Sequence, residues 1–139
     1  DLLAETKVAP ELSNEAHYYR AKAYLDAGKV EGAMDDLKIL AKDTRNIYGA
    51  EAKYKVAQIY FDAGQTEQAE KEVLDYIEVS TPHTYWLARS FVLLSDVYMK
   101  LGRNLDAKQY LLSLKQNYQA DDDIAGMIES RLNKLNAEN

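Results

Sequence analysis

The stretch Tyr60-Phe61-Asp62-Ala63-Gly64-Gln65-Thr66-Glu67-Gln68-Ala69 decides the fold. A relative lies upstream, Tyr24-Leu25-Asp26-Ala27-Gly28-Lys29-Val30-Glu31-Gly32-Ala33. Another lies downstream, Tyr98-Met99-Lys100-Leu101-Gly102-Arg103-Asn104-Leu105-Asp106-Ala107. All three have Tyr, then Gly four residues on, then Ala five beyond that. From Gly28 to Gly64 is 36 residues, and from Gly64 to Gly102 is 38. Repetition at a period of roughly 20–50 residues marks a solenoid, in which each unit buries its apolar face on its neighbours.

The helical signals run outward from these glycines. Ser13 or Asn14 caps a helix reaching Ala27, and Gly28 supplies the left-handed residue that ends it. A second helix is expected from Val30 to Asp43, with Ala33, Leu37, Leu40 and Ala41 on one stripe. Asn46 caps a third helix ending before Gly64, and Thr66 caps its partner through Val79. Glu51-Lys55 and Glu67-Lys71 are i,i+4 pairs with the acid first, worth about 0.2–0.5 kcal/mol each. Thr81 caps the next helix, with Pro82 in the first turn, where its missing N–H costs nothing, and that helix reaches Leu101. Asn104 caps its partner, running to about Tyr118.

Asp121, Asp122 and Asp123 then stand where a helix N-terminus favours negative charge. Ile124, Met127, Ile128, Leu132 and Leu135 form one apolar stripe behind them, with Glu129, Ser130, Asn133 and Lys134 facing away. Such a helix shields the exposed end of a stack. The expected fold is therefore all-α, a superhelix of three helix-turn-helix repeats at 13–45, 46–80 and 81–120, capped by a helix at 121–139. Residues 1–12 read as a remnant in which Leu2, Leu3 and Val8 are the last turns of a preceding unit or a frayed end, with Pro10 interrupting.

At 139 residues the chain is expected to be one domain with a core that needs no staples. Lys+Arg is 17 against Asp+Glu 23, a net charge of −6 with no basic cluster, which argues against nucleic acid as a partner. The absence of cysteine removes disulfides, thiolate metal sites and cysteine nucleophiles. No apolar run approaches the roughly 18 residues of a membrane span, so no membrane insertion is expected. Residue 1 is Asp, which points to an excised or processed chain, and a signal peptide upstream stays open.

Little in the sequence suggests chemistry. His17 and His83 are far apart, and neither has a second ligand at metal spacing. Asp121-Asp122-Asp123 lacks the alternation and the glycine of a calcium loop. Asp35-Asp36 falls on an outer helix face and is expected to be solvated. None of the repeat glycines opens a phosphate-binding loop. No enzyme activity, cofactor or metal is expected.

Helix pairs at this period resemble the tetratricopeptide repeat, a family of roughly 34-residue units. The small residue three before the Tyr is Ala21, Ala57 and Ser95, where two helices cross closely. The Tyr is Tyr24, Tyr60 and Tyr98, the small residue of the second helix is Ala33, Ala69 and Ala107, and the large apolar residue four later is Leu37, Val73 and Leu111. The likeness covers about residues 14–120. The family's Trp position instead reads His17, Lys53 and Phe91, the Leu position reads Arg20, Val56 and Leu94, and the closing Pro is missing from each unit. The longer units are also somewhat similar to those of bacterial cell-envelope proteins, a likeness that tilts the setting toward the periplasm over the cytoplasm.

The resemblance implies a right-handed α-α superhelix, whose first helices line a concave groove that takes up a peptide or protein segment. The family's positional pattern would put Glu15, Tyr18, Lys22, Leu25 and Asp26 of the first unit on that groove. The second unit would add Glu51, Tyr54, Gln58, Phe61 and Asp62, and the third Arg89, Val92, Asp96, Met99 and Lys100. Of these, Tyr18, Tyr54 and Phe61 are expected to carry most of the binding, since aromatic rings dominate interfaces; packing within the solenoid is the competing role. The family's clamp for a C-terminal carboxylate needs Lys and Asn at matched positions; these read Tyr18 and Lys22, then Gln58 and Asp96, so the clamp is missing. The function implied is a non-catalytic protein-binding scaffold. The alternative is a structural end segment of a longer repeat protein, serving stacking or self-association as a homo-oligomer.

Overall fold

Gly28, Gly64 and Gly102 adopt φ of +76°, +80° and +77°, the left-handed conformation that reverses the chain without a Cβ penalty. At the first of them Lys29 N–H donates to the Tyr24 carbonyl at 2.7 Å and Gly28 N–H to that of Leu25 at 3.0 Å. The same long bond recurs from Gln65 to Tyr60 (2.9 Å) and from Arg103 to Tyr98 (2.7 Å). The repeated Tyr thus stands where its backbone carbonyl closes the turn.

These turns organise a computed structural model that describes residues 13–79 and 81–137. The described residues form seven helices: α1 (Asn14–Asp26), α2 (Val30–Leu40), α3 (Ile47–Asp62), α4 (Thr66–Glu78), α5 (Thr84–Lys100), α6 (Asn104–Asn117) and α7 (Ile124–Ala137). No strand occurs among them. Leu2, Leu3, Val8 and Pro10 lie outside the described residues. Consecutive helices pack as antiparallel neighbours, and α1 also touches α3, α3 touches α5, and α5 touches α7. The second helices α2, α4 and α6 make no such contact with one another. One layer is therefore closed and the other splayed, which is the curvature of an all-α repeat solenoid.

The small residues sit at the crossings. Ala21, Ala57 and Ser95 are 0–1% exposed, and Ala33, Ala69 and Ala107 are fully buried, as are Leu37, Val73 and Leu111. Ser95 satisfies its hydroxyl within its own helix, donating to the Val92 carbonyl at 2.6 Å. Ile124, Ile128, Leu132 and Leu135 bury one stripe of α7 against the last pair.

Helix starts differ from the sequence reading at three places. Ser13 and Asn46 do cap α1 and α3, accepting from Ala16 N–H at 3.1 Å and Tyr48 N–H at 2.8 Å. Thr66 and Asn104, however, are the first helical residues rather than caps, because the left-handed Gly hands the chain on through Gln65 and Arg103. Thr81 is not a cap either. Its hydroxyl donates to the Thr44 carbonyl at 2.6 Å and accepts from His83 N–H at 3.1 Å, tying two inter-pair loops together, and α5 starts only at Thr84.

Helix α2 also stops at Leu40 rather than Asp43. Beyond it the chain tightens into a turn whose Leu40 and Asp43 carbonyls press on Gly49 of α3. A Cβ on Gly49 would lie 2.5 Å from the first oxygen and 1.9 Å from the second. No other residue type fits there.

The largest correction concerns Asp36. It is 1% exposed, not solvated, because it faces α1 across the pair. Arg20 Nε and Nη2 donate to it at 2.8 and 2.7 Å, and His17 Nδ1 lies 2.8 Å from Oδ1. The Arg20 hydrogen bonds, helped by His17, outweigh burial and hold the carboxyl below the usual range. The equivalent column of the second pair is Lys53 with Glu72 at 2.8 Å, joined by Asp75. There burial pulls the ammonium down, but the two carboxylates prevail and raise its pKa. In the third pair the column is Phe91 against Tyr110, ring centroids 6.1 Å apart. One contact position is thus filled by three chemistries.

Candidate functional site

Because the first helices form the closed layer, α1, α3, α5 and α7 line the inner side of the curve. The residues singled out by the sequence fall into two groups along it.

At the α1 end, Tyr18 is half-buried and its hydroxyl donates to both oxygens of Glu51 on α3, at 3.1 and 3.2 Å. Lys55 pairs with the same carboxylate at 2.7 Å. Burial and then the Glu51 charge push the Tyr18 phenol up to about 12. Its ring lies 4.9 Å from that of Tyr48, and the Lys22 ammonium stands 5.4 Å from its centroid. Lys22 itself is exposed and Leu25 half-buried.

Further along, Tyr54 is 7% exposed and Val92 3%. Tyr54 repeats the Tyr18 arrangement one unit on: its ring lies 5.6 Å from Trp86, and the Arg89 guanidinium is 5.1 Å from its centroid. Its hydroxyl donates to Gln58 Oε1 at 2.8 Å, and Gln58 Nε2 passes the chain on to Asp62 at 2.8 Å. Tyr18 and Tyr54 are therefore joints between successive units, each set against a tilted aromatic ring near the start of the next first helix.

Phe61, Asp96 and Met99 come together with Lys100, Asn104 and Lys134 around an open hollow of about 410 Å³. Phe61 and Met99 are partly buried and rest on the core. Beside it, Tyr54, Gln58, Val92 and Asp96 share a recess of about 80 Å³ with Arg89, Leu93, Met127 and Arg131. Tyr18, Lys22 and Leu25 line neither.

Helix α7 contributes more than a seal. Arg131 Nε and Nη2 donate to the two oxygens of Asp96 at 2.8 and 3.0 Å. Lys134, expected to face away, instead lines the hollow. The sequence stripe of α7 separated buried from exposed positions but could not show that one exposed edge borders α5.

Chemically the face offers rings, a thioether, carboxylates and ammonium groups, of which the carboxylates of Glu51, Asp62 and Asp96 are already held by hydrogen bonds. The two histidines face other partners: His17 is held by Asp36, and His83 Nε2 lies 3.1 Å from the Arg45 carbonyl oxygen. Among the described residues no group of three His, Cys, Asp or Glu side chains is placed to hold a metal ion, and no helix is long and apolar enough to cross a membrane.

Two family models described as tetratricopeptide repeat match the chain, over residues 15–43 and 88–117. These spans coincide with the α1–α2 and α5–α6 pairs. Both pairs are tetratricopeptide repeats. The α3–α4 pair between the matches carries the same repeat positions in Ala57, Tyr60, Gly64, Ala69 and Val73. Tetratricopeptide repeats are in general protein-interaction modules and non-catalytic scaffolds. The matches concern the repeat itself and carry no cell-envelope assignment. No curated protein matches the chain.

Proposed function

We propose that this tetratricopeptide-repeat chain is a non-catalytic scaffold whose inner face takes up a peptide segment of a protein partner, without cofactor and without nucleic acid. The observation that carries this reading is the hollow bordered by Phe61 and Met99, where apolar surface lies open between polar groups on the inner side of the solenoid. Tyr54 and Val92 support that surface from below, and Tyr18, Lys22 and Leu25 extend it toward α1. Gln58 and Asp96 give it hydrogen-bonding register. The repeat units occupy 13–45, 46–80 and 81–120 in this reading, with α7 closing the stack.

The test is calorimetry or anisotropy with a selected peptide partner on the wild type and on Phe61→Ala with Met99→Ala. Loss of about tenfold or more in affinity at unchanged helicity supports the reading, and equal affinity moves the site off this face.

Self-association through the flank of α1 is the second reading. Tyr19 is 58% exposed, whereas Leu93, the matching residue of the third unit, is 3% exposed beneath the preceding pair. A dimer in light scattering that Tyr19→Asp dissolves would favour it.

A further inference from the structure

We infer that the hollow selects an acidic segment: an apolar side chain seated on Phe61 and Met99, with neighbouring carboxylates reaching Lys100 and Lys134. This rests on, and deepens, the reading of the inner face as a peptide site.

The argument is one of charge complementarity. Three charged residues border the hollow, Asp96, Lys100 and Lys134. Asp96 is already neutralised, both its oxygens being held by the Arg131 guanidinium. Among the described residues neither Lys100 nor Lys134 makes an ion pair. The hollow is thus locally cationic on a molecule of net charge −6. Asp62, one residue beyond Phe61, is engaged by the Gln58 amide and does not line it.

Position within the repeat points the same way. Residue 100 occupies the place held by Asp26 and Asp62 in the other two units, so the charge at the end of the first helix reverses here alone. A basic segment would be drawn to the acids at that height in the first two units but repelled at the third, where an acidic one is favoured. Ammonium groups on flexible stems at the rim of an apolar floor recognise side-chain carboxylates as point charges, with little geometric demand. An interior acidic–apolar segment therefore fits without the terminal-carboxylate clamp that the sequence lacks.

The experiment is a random peptide library, ends blocked, panned on the intact chain and on Lys100→Gln with Lys134→Gln. Both lysines are exposed side chains near helix ends, so the variant keeps its fold, which circular dichroism checks. The expected result is enrichment of sequences with Asp or Glu flanking a large apolar residue. Their affinity should fall about tenfold or more in the double variant, and should weaken with salt in the wild type. Enrichment without acidic bias that Phe61→Ala with Met99→Ala abolishes would overturn the acidic preference while leaving the peptide site intact. No enrichment, or enrichment indifferent to both double variants, would overturn both.

Discussion

Replacing Gly49 by Ala tests the packing of this solenoid at its tightest point. The added methyl would sit 1.9 Å from the Asp43 carbonyl oxygen, 2.5 Å from that of Leu40 and 2.8 Å from the Asp43 carbonyl carbon. All three are backbone atoms, so no rotamer change relieves the clash. The turn after α2 must retreat by more than about 1 Å to reach ordinary contact distance. Overpacking of a close-packed interior costs about 1–3 kcal/mol, and a rigid backbone neighbour places this site at the upper end. Alanine regains up to about 1 kcal/mol of helix propensity, leaving a net loss of about 2 kcal/mol. For a chain of this length that lowers Tm by about 6–8 °C. Gly126→Ala is the control: nothing lies within 4 Å of its Cβ, so propensity alone should raise Tm by about 2–4 °C. Gly32→Ala lies between, its Cβ 3.1 Å from the Tyr24 ring, which can give. Thermal unfolding followed by circular dichroism reads all three. A Gly49→Ala protein as stable as the wild type would refute the packing described for α2 and α3.

Asp36→Asn should cost about 2 kcal/mol at neutral pH, less than a fully buried pair because Arg20 is half exposed. Since the folded carboxyl is held low, that contribution is complete above the unfolded value of about 3.9 and disappears as pH falls through the folded one. Urea midpoints of wild type and variant should therefore converge below about pH 4, and a gap constant down to pH 2 would contradict the sign. Ala57→Leu, at a crossing 1% exposed, should destabilise by about 1–3 kcal/mol, whereas an unchanged Tm would undo the repeat alignment. Thr81→Val removes the hydroxyl joining Thr44 to His83 and should cost about 1 kcal/mol, with faster amide exchange at His83 as the specific readout.

The helix pairs could be read from the sequence because their determinants are local. A left-handed Gly, an Ala at a crossing and a Tyr whose carbonyl closes the turn constrain the backbone within a few residues, and each recurs at one spacing. The caps at Thr66, Thr81 and Asn104 were misread where a neighbour competes: the Gly turn leads straight into the next helix, and the Thr44 carbonyl claims the Thr81 hydroxyl. Asp36 was misjudged because what buries it lies on the other helix of the pair. One side of the column, His17, Lys53 and Phe91, was nonetheless present in the repeat alignment as the family's Trp position, while its partners Asp36, Glu72 and Tyr110 were not. On the inner face, the sequence placed Phe61, Asp96 and Met99, which the structure brings together around one hollow. Arg131 went unseen and Lys134 was expected to face away because both belong to α7, which matches none of the repeat positions.

The unlike fillings of that column give each pair its own address. A helix that docked in a neighbour's place, within one chain or exchanged between two, would set Lys53 against Tyr110 or Phe91 against Asp36. Either error leaves a charge buried without its counterion, at a cost of several kcal/mol. Three units with a common backbone plan are thereby kept in order, so shuffling or swapping their helices should give unstable chains rather than alternative folds.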